Sequence, residues 1–130
     1  MNQPVSLVKY TASPDSLKEA ITLCEGFSEL KPSDTVLIKP NLVAWDDEYP
    51  IAPYGVFTTT RLVEDLVTLL KDAGCNNIIL GEGSVEVKKG VGTMAAFEGL
   101  GYRELEKRYG LTLVDFNRSR SEERRVGKEC

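Results

Sequence analysis

A chain of 130 residues is long enough to form one domain with its own hydrophobic core. Hydrophobic residues make up 42% of it and charged residues 28%, as in an ordinary soluble globular protein, and the net charge is −4. No apolar run is long enough to cross a bilayer, and the first residues lack the basic and apolar regions of a signal peptide. We therefore expect a cytoplasmic protein with no membrane partner.

Residue types that commonly hold metals are scarce in this chain. It has no histidine, which removes the commonest metal ligand and the commonest general base. Its three cysteines, Cys24, Cys75 and Cys130, are far apart and form no C-x-x-C pair. We expect no metal site and no cofactor within the chain itself, and in particular neither a structural zinc nor a locally ligated iron–sulfur cluster.

The last eleven residues, Arg120 to Cys130, are predicted to differ from the rest in origin. Their sequence matches, codon for codon, the translation of a common short-read sequencing adapter. We therefore predict a partial α/β domain over residues 1–119, a non-biological tail over residues 120–130, and a reading frame cut off within a longer protein. The alternative is a genuine charged, solvated tail. Without the tail the chain has 12 basic and 17 acidic residues, so we expect no nucleic-acid partner.

The chain begins with a predicted strand and a predicted helix. Val5 to Tyr10 is partly alternating and rich in β-formers, which indicates a first strand. Ser13 and Pro14 form a helix-start signal with Ser13 as N-cap, and apolar residues then recur at helical spacing up to Phe27. Thr35 to Ile38 runs without alternation, which predicts a second strand covered on both faces.

A long connection follows that strand, from Pro40 to about Phe57. Long loops at strand ends often carry function. The acidic run Asp46-Asp47-Glu48 is expected to be solvated, and the alternative is a site for a hard cation. The aromatic residues Trp45, Tyr49 and Tyr54 either line a ligand pocket or hold the loop to the edge of the sheet, and the sequence favours neither reading.

The remaining predicted elements alternate between helix and strand. They are a helix from Thr58–Thr60 to Gly74, a strand from Ile78 to Gly81, a helix capped by Thr93 and reaching Leu100, a helix from Tyr102 to Tyr109 that Gly110 ends, and a strand from Leu111 to Phe116. Alternating strands and helices form βαβ units. The fold class is therefore α/β, with a three-layer, mostly parallel sheet that is truncated.

Polar residues cluster where the predicted strands end. Lys39 and Asn41 follow one strand, and Glu82-Gly83-Ser84 follows the next. Ligands of open parallel sheets bind at the carboxyl ends of the strands, so we predict a site for a small anionic ligand there. Lys39 is predicted to be catalytic as a fixed positive charge or general base, and Glu82 as an acid or base.

Five further residues are predicted to bind the ligand through their side chains or backbone amides: Asn41, Thr58, Thr59, Gly83 and Ser84. A structural alternative stays open for the whole cluster. In that alternative Lys39 and Glu82 form an ion pair, Asn41 and Ser84 satisfy turns, and the threonines only cap a helix.

Several blocks of the sequence together resemble one known family. They are Val36-Leu37-Ile38-Lys39-Pro40-Asn41-Leu42-Val43, Gly55-Val56 with Thr58-Thr59, Gly81-Glu82-Gly83-Ser84, and Phe97 with Gly101-Tyr102. This pattern resembles domain-of-unknown-function family three-six-two over roughly residues 5–117. Proteins of that family are often described as uncharacterised and iron–sulfur-associated.

The resemblance implies more about a full-length parent protein than about this chain. Many family members carry a ferredoxin-like module with clustered cysteines downstream of this domain. The resemblance therefore implies that any 4Fe-4S cluster and any ferredoxin-like partner domain of the parent protein would belong to the part beyond the cut, and none to this fragment. Two functions stay open: an enzyme domain that binds a small anionic metabolite, and a non-catalytic scaffold for the electron-transfer module.

Overall fold

The computed structural model describes residues 4–46 and 56–118. In chain order these residues form α1 (Pro14–Leu23), β1 (Thr35–Ile38), α2 (Thr60–Asp72), β2 (Asn77–Glu82), α3 (Thr93–Gly99), α4 (Tyr102–Tyr109) and β3 (Thr112–Asp115). The strands form one parallel sheet in the order β1-β2-β3. β2 pairs with β3 from Ile79 opposite Thr112 to Glu82 opposite Asp115. The predicted α/β class with a parallel sheet is confirmed.

The described residues divide into two compact units, and the first consists of residues 4–36 and 61–78. Its buried core contains Val63, Val67 and Leu70 of α2, together with Cys75 and Ile78. The three α2 positions recur every three or four residues and so lie on one face of the helix. The same periodicity is visible in the sequence, which is why the helix could be predicted.

The segment before α1 is not a strand among the described residues, so the prediction for Val5 to Tyr10 is wrong. Val5 and Leu7 are 94% and 98% exposed. A strand needs a partner strand to satisfy its backbone groups, and β-propensity alone supplies none. The helix start that follows is confirmed, because the Ser13 hydroxyl accepts a hydrogen bond from the Asp15 N–H at 3.2 Å.

The C-terminal end of α1 forms a Schellman motif. The Gly26 N–H donates to the Ile21 carbonyl at 2.8 Å, and the Glu25 N–H donates to the Thr22 carbonyl at 3.1 Å. Glu25 occupies the left-handed position of this motif, with a φ of 56°. Glycine is favoured at that position because a Cβ atom makes the left-handed conformation unfavourable.

The second unit consists of residues 37–46, 56–60 and 79–118. Its core includes Leu42, Leu80, Phe97 and Tyr102, and the rings of Phe97 and Tyr102 meet edge to face with centroids 5.8 Å apart. α4 ends at Gly110, as predicted, where a φ of 67° suits a residue without a Cβ atom.

Two local predictions need correction. β1 is not covered on both faces, since Leu37 is 55% exposed; β1 lies at one edge of the described sheet, and only Ile38 of the strand is buried. Thr93 does not cap α3, because the N-cap is Gly92. The Thr93 hydroxyl instead accepts a hydrogen bond from the Ser84 N–H at 3.0 Å.

No helix in the described part of the chain has the length and apolar composition that a bilayer crossing requires. The longest of them, α2, has 13 residues.

Candidate functional site

Three charged side chains lie where the parallel strands end, and we call this group the carboxyl edge: Lys39, Glu82 and Asp115. Lys39 follows β1 directly, Glu82 is the last residue of β2, and Asp115 is the last residue of β3. Parallel strands end on the same side of a sheet, so the shared strand direction brings these residues together. The register places Glu82 directly opposite Asp115.

Glu82 carries an almost fully enclosed carboxylate, because the residue is only 5% exposed. The Lys39 ammonium lies 2.9 Å from its Oε1 and 3.0 Å from its Oε2. The Gly83 N–H donates to Oε1 at 2.7 Å, and the Leu42 N–H donates to Oε2 at 3.1 Å. Both oxygens are therefore bound by one cation and two backbone donors.

These contacts decide the charge state of Glu82. Burial raises the pKa of the carboxyl, but the hydrogen bonds from Lys39 and from the N–H groups of Gly83 and Leu42 outweigh it. The pKa of Glu82 consequently lies below its ordinary value of 4.5. At neutral pH Glu82 is an ionised hydrogen-bond acceptor.

Lys39 differs from its partner in exposure. Its side chain is 59% exposed, whereas that of Glu82 is 6% exposed. The ammonium is thus fixed on the protein side by the carboxylate and open to solvent on the other side. An ammonium has three N–H donors. Two of them account for the contacts with the Glu82 oxygens, which leaves one for a ligand.

Asn41 and Thr58 join the two ends of the long loop. The Asn41 N–H donates to the Thr58 hydroxyl at 2.8 Å, and the Thr58 N–H donates to the Asn41 carbonyl at 3.0 Å. The Asn41 side-chain amide donates to the Val56 carbonyl at 2.7 Å. Thr59, the other threonine predicted to bind the ligand, follows directly and is half-buried.

Tyr102 supports the loop end from inside the core. Its hydroxyl donates to the Thr58 carbonyl at 2.7 Å, although the residue is fully buried. Burial raises the pKa of Tyr102 above its ordinary value of 10, so the hydroxyl stays a donor at physiological pH.

Ser84 lies inside the protein, at 2% exposure. Its hydroxyl donates to the Leu42 carbonyl, its N–H donates to the Thr93 hydroxyl, and its carbonyl accepts from the Asn117 side-chain amide at 2.7 Å. All of its polar groups are therefore used within the fold. The adjacent Gly83 is exposed, but its N–H is bound to Glu82.

Sequence reasoning missed several residues that build the carboxyl edge. Asp115 has a side chain that is 11% exposed and accepts from the Asn117 N–H at 2.9 Å. Leu42 contributes its backbone N–H to the Glu82 carboxylate, and a backbone contact of this kind cannot be predicted from the residue type. The sequence did contain a signal that could have identified Asn117 as a site residue, because it is an asparagine just after a predicted strand, as Asn41 is.

The acidic run and the aromatic residues of the long loop are described only in part. Asp47, Glu48, Tyr49 and Tyr54 lie outside the described residues. Asp46 is not solvated as expected, because it is 7% exposed and pairs with the Lys88 ammonium at 3.2 Å. The Trp45 indole lies directly against Gly99: a Cβ atom on that glycine would be 2.1 Å from the ring. Trp45 thus holds the start of the loop against α3.

A 4Fe-4S cluster requires several thiolate ligands close together. Cys75 is buried and its thiol donates to the Lys31 carbonyl at 3.1 Å, while the half-buried Cys24 donates to the Ile21 carbonyl at 3.5 Å. Cys130 lies outside the described residues. Among residues 4–46 and 56–118, no group of three His, Cys, Asp or Glu side chains could hold a metal ion. These residues do not fit such a cluster.

Comparison with known proteins identifies the family. The family model Domain of unknown function (DUF362) matches residues 36–130 of the chain. The chain belongs to this family, in agreement with the Lys-Pro-Asn and Gly-Glu-Gly-Ser blocks. No curated protein and no solved structure matches it. The matched range includes residues 120–130, whose adapter origin stays a prediction and whose structure lies outside the described residues.

Proposed function

We propose that this DUF362 domain binds a small anionic ligand at its carboxyl edge, with the Lys39 ammonium as the contacting charge. The observation that carries the proposal is the unequal exposure of the ion pair: 59% for the Lys39 side chain against 6% for that of Glu82. A purely internal ion pair would bury both partners. Here the anion is enclosed, and the cation faces solvent at the side of the sheet where α/β proteins bind ligands.

In this proposal Glu82 positions Lys39 rather than touching the ligand. All contacts of its carboxylate are with the protein, and its lowered pKa keeps it ionised at neutral pH. Lys39 would be the catalytic residue if the domain is an enzyme, as an electrostatic contact for negative charge. Glu82 would prevent the ammonium from moving away.

A second donor for the ligand is the Asn41 carboxamide. A carboxamide nitrogen carries two hydrogens, and one of them is bound to Val56. Asn41 is exposed, so the second hydrogen is proposed to bind the same anion as Lys39. The backbone of Thr58 and Thr59 is proposed to lie beside the bound ligand. A small molecule, rather than nucleic acid or a membrane, is the proposed partner, in a cytoplasmic protein.

Titration with inorganic phosphate tests this proposal. We expect saturable changes in the amide NMR signals of Lys39, Asn41 and Gly83 in the 130-residue chain. Lys39→Ala should weaken binding by about tenfold, since it removes a charge-assisted hydrogen bond. Lys39→Arg should retain most of the affinity. Lys9→Ala is the matched control, because Lys9 is an exposed lysine of the first unit.

Equal phosphate affinity in Lys39→Ala and the unmodified chain would contradict the proposal. So would signal changes that spread evenly over all exposed lysines, which would indicate unspecific screening of charge.

The alternative function is a non-catalytic scaffold for a ferredoxin-like electron-transfer module. It is favoured by the fact that Ser84 and Glu82 make all their contacts inside the protein. Because the described cysteines do not fit a cluster, any 4Fe-4S ligands would have to come from outside residues 4–46 and 56–118. The test is the visible absorption of an intact relative that carries the downstream cysteines. Loss of this absorption on replacing those cysteines would support the alternative, provided that replacing the lysine equivalent to Lys39 by alanine leaves the absorption unchanged.

A further inference from the structure

The first unit contains a cavity of about 480 Å³, which we call the helix-end cavity. This volume lies within the range typical of small-molecule sites. The cavity is lined by the last turns of α1 and α2 and by the segment after α1. Its half-buried apolar residues include Ile21, Phe27 and Leu69, and its exposed charged residues are Lys18, Glu25 and Asp72.

The electrostatic character of the helix-end cavity is negative. The C-terminal end of a helix carries a partial negative charge, and both α1 and α2 end at this cavity. α1 has no basic residue in its last turn to offset that charge, whereas α2 has Lys71, which does not line the cavity. Glu25 and Asp72 add two carboxylates, against the single ammonium of Lys18.

The two carboxylates are also available. Within the described parts of the chain, neither Glu25 nor Asp72 makes an ion pair or a side-chain hydrogen bond. This distinguishes them from the acidic residues of the carboxyl edge, which are held by donors of the protein.

Glu25 occupies its position against local preference. It adopts the left-handed conformation in which glycine is favoured, and it places an anion at the negative end of α1. A glycine is the next residue, Gly26, where the motif does not need one. Residues held in unfavourable conformations gather at functional sites, and a binding role for the Glu25 carboxylate would account for this one.

We propose that the helix-end cavity binds a small amphipathic cation, namely an organic amine with an apolar group. The ammonium would lie between Glu25 and Asp72, and the apolar group against Ile21, Phe27 and Leu69. A cation placed over the face of the Phe27 ring would gain a further attraction. This site lies in the other unit from the proposed anion site and prefers the opposite charge, so either proposal can fail alone.

The test uses phenethylammonium and its neutral counterpart 2-phenylethanol, titrated separately into the 130-residue chain at low salt. Amide NMR signals report both affinity and position. We expect phenethylammonium to bind saturably, with the largest changes at Ile21, Phe27 and Leu69, and at least about fivefold more tightly than the alcohol.

Neutral variants that keep the size of the acidic side chains distinguish specific binding of the amine from a general attraction to the negative charge of the protein. Glu25→Gln and Asp72→Asn should each weaken phenethylammonium binding about three- to fivefold, and 2-phenylethanol binding should not change. Glu29→Gln is the matched control, since Glu29 is exposed, lies on the same unit and does not line the cavity. The unchanged signals of α1 and α2 residues verify that each variant is folded.

Three results would overturn the proposal. They are the absence of saturable binding at the cavity residues, equal affinity for the amine and the alcohol, and an effect of Glu29→Gln as large as that of Glu25→Gln. Saturable amine binding that depends on Glu25 and Asp72 supports it whether or not phosphate binds at Lys39.

Discussion

The carboxyl edge and the helix-end cavity use carboxylates in opposite ways. Glu82 is 5% exposed and accepts hydrogen bonds at both oxygens, while Glu25 and Asp72 are exposed and lack side-chain partners among the described residues. A charge that is buried away from water must be paired inside the protein, whereas an exposed charge is solvated and stays available to a ligand. Acidic residues therefore stabilise the fold at the carboxyl edge and, in our proposal, bind a ligand at the helix-end cavity.

Replacing Glu82 should produce the largest loss of stability. In Glu82→Gln the side chain presents two donor hydrogens where it now only accepts, and one of the Gly83 and Leu42 N–H groups loses its partner. We expect the free energy of unfolding to fall by about 3 kcal/mol, measured by urea denaturation. Glu98→Gln, on an exposed residue of α3, should change it by less than about 0.5 kcal/mol.

An equal effect of the two substitutions would mean that the Glu82 contacts contribute nothing to folding. The contrast between the two regions would then disappear.

Acid should weaken the carboxyl edge selectively. The pKa of Glu82 is lower in the folded state than its ordinary value of 4.5, so its contribution to stability is complete above that value. The contribution is lost as the pH falls below 4.5 and through the folded-state pKa. The difference in unfolding free energy between the unmodified chain and Glu82→Gln should therefore shrink with acid, and a constant difference would contradict the assigned charge state.

Close packing around the loop is tested at Gly99. A Cβ atom there would meet the Trp45 ring at 2.1 Å, whereas a Cβ atom at Gly26 would come no closer than 3.4 Å to any atom. Gly99→Ala should thus lower the free energy of unfolding by about 2 kcal/mol, and Gly26→Ala should not. Trp45 fluorescence should change in the first variant only. Equal stability of the two variants would show that the loop start is not held against α3.

At the helix-end cavity we expect substitution of an acidic residue to raise the free energy of unfolding, in contrast to the loss expected for Glu82→Gln. Glu25→Gly relieves the left-handed conformation and removes an anion from the end of α1, so we expect a gain of about 1 kcal/mol in the free energy of unfolding. Glu25→Gln keeps the conformation and should gain only a few tenths of that. A loss of stability in Glu25→Gly would mean that the carboxylate is a structural group, as Glu82 is.

Much of the fold could be predicted because its signals are local. The helical spacing of Val63, Val67 and Leu70 predicted α2, and the glycine after Tyr109 marked the end of α4. The helix start at Ser13 was equally readable, since one side chain bonds to a backbone group two residues away.

The carboxyl edge could be predicted in place but not in detail. Parallel strand direction brings Lys39 and Glu82 to the same edge, and the structure places the two side chains 2.9 Å apart. The burial of Ser84 and the role of the Leu42 N–H could not be predicted, since both depend on contacts between segments about 40 residues apart.

The sequence by itself determined where the helices and the three parallel strands lie, to within a few residues at their ends, because hydrophobic periodicity and caps act over a few positions. Only the tertiary structure decided which charges are enclosed and which remain open, because burial depends on residues distant in the chain. The same cause explains why Val5 to Tyr10 has the composition of a strand without being one, and why a cavity forms between residues 18–28 and 69–73.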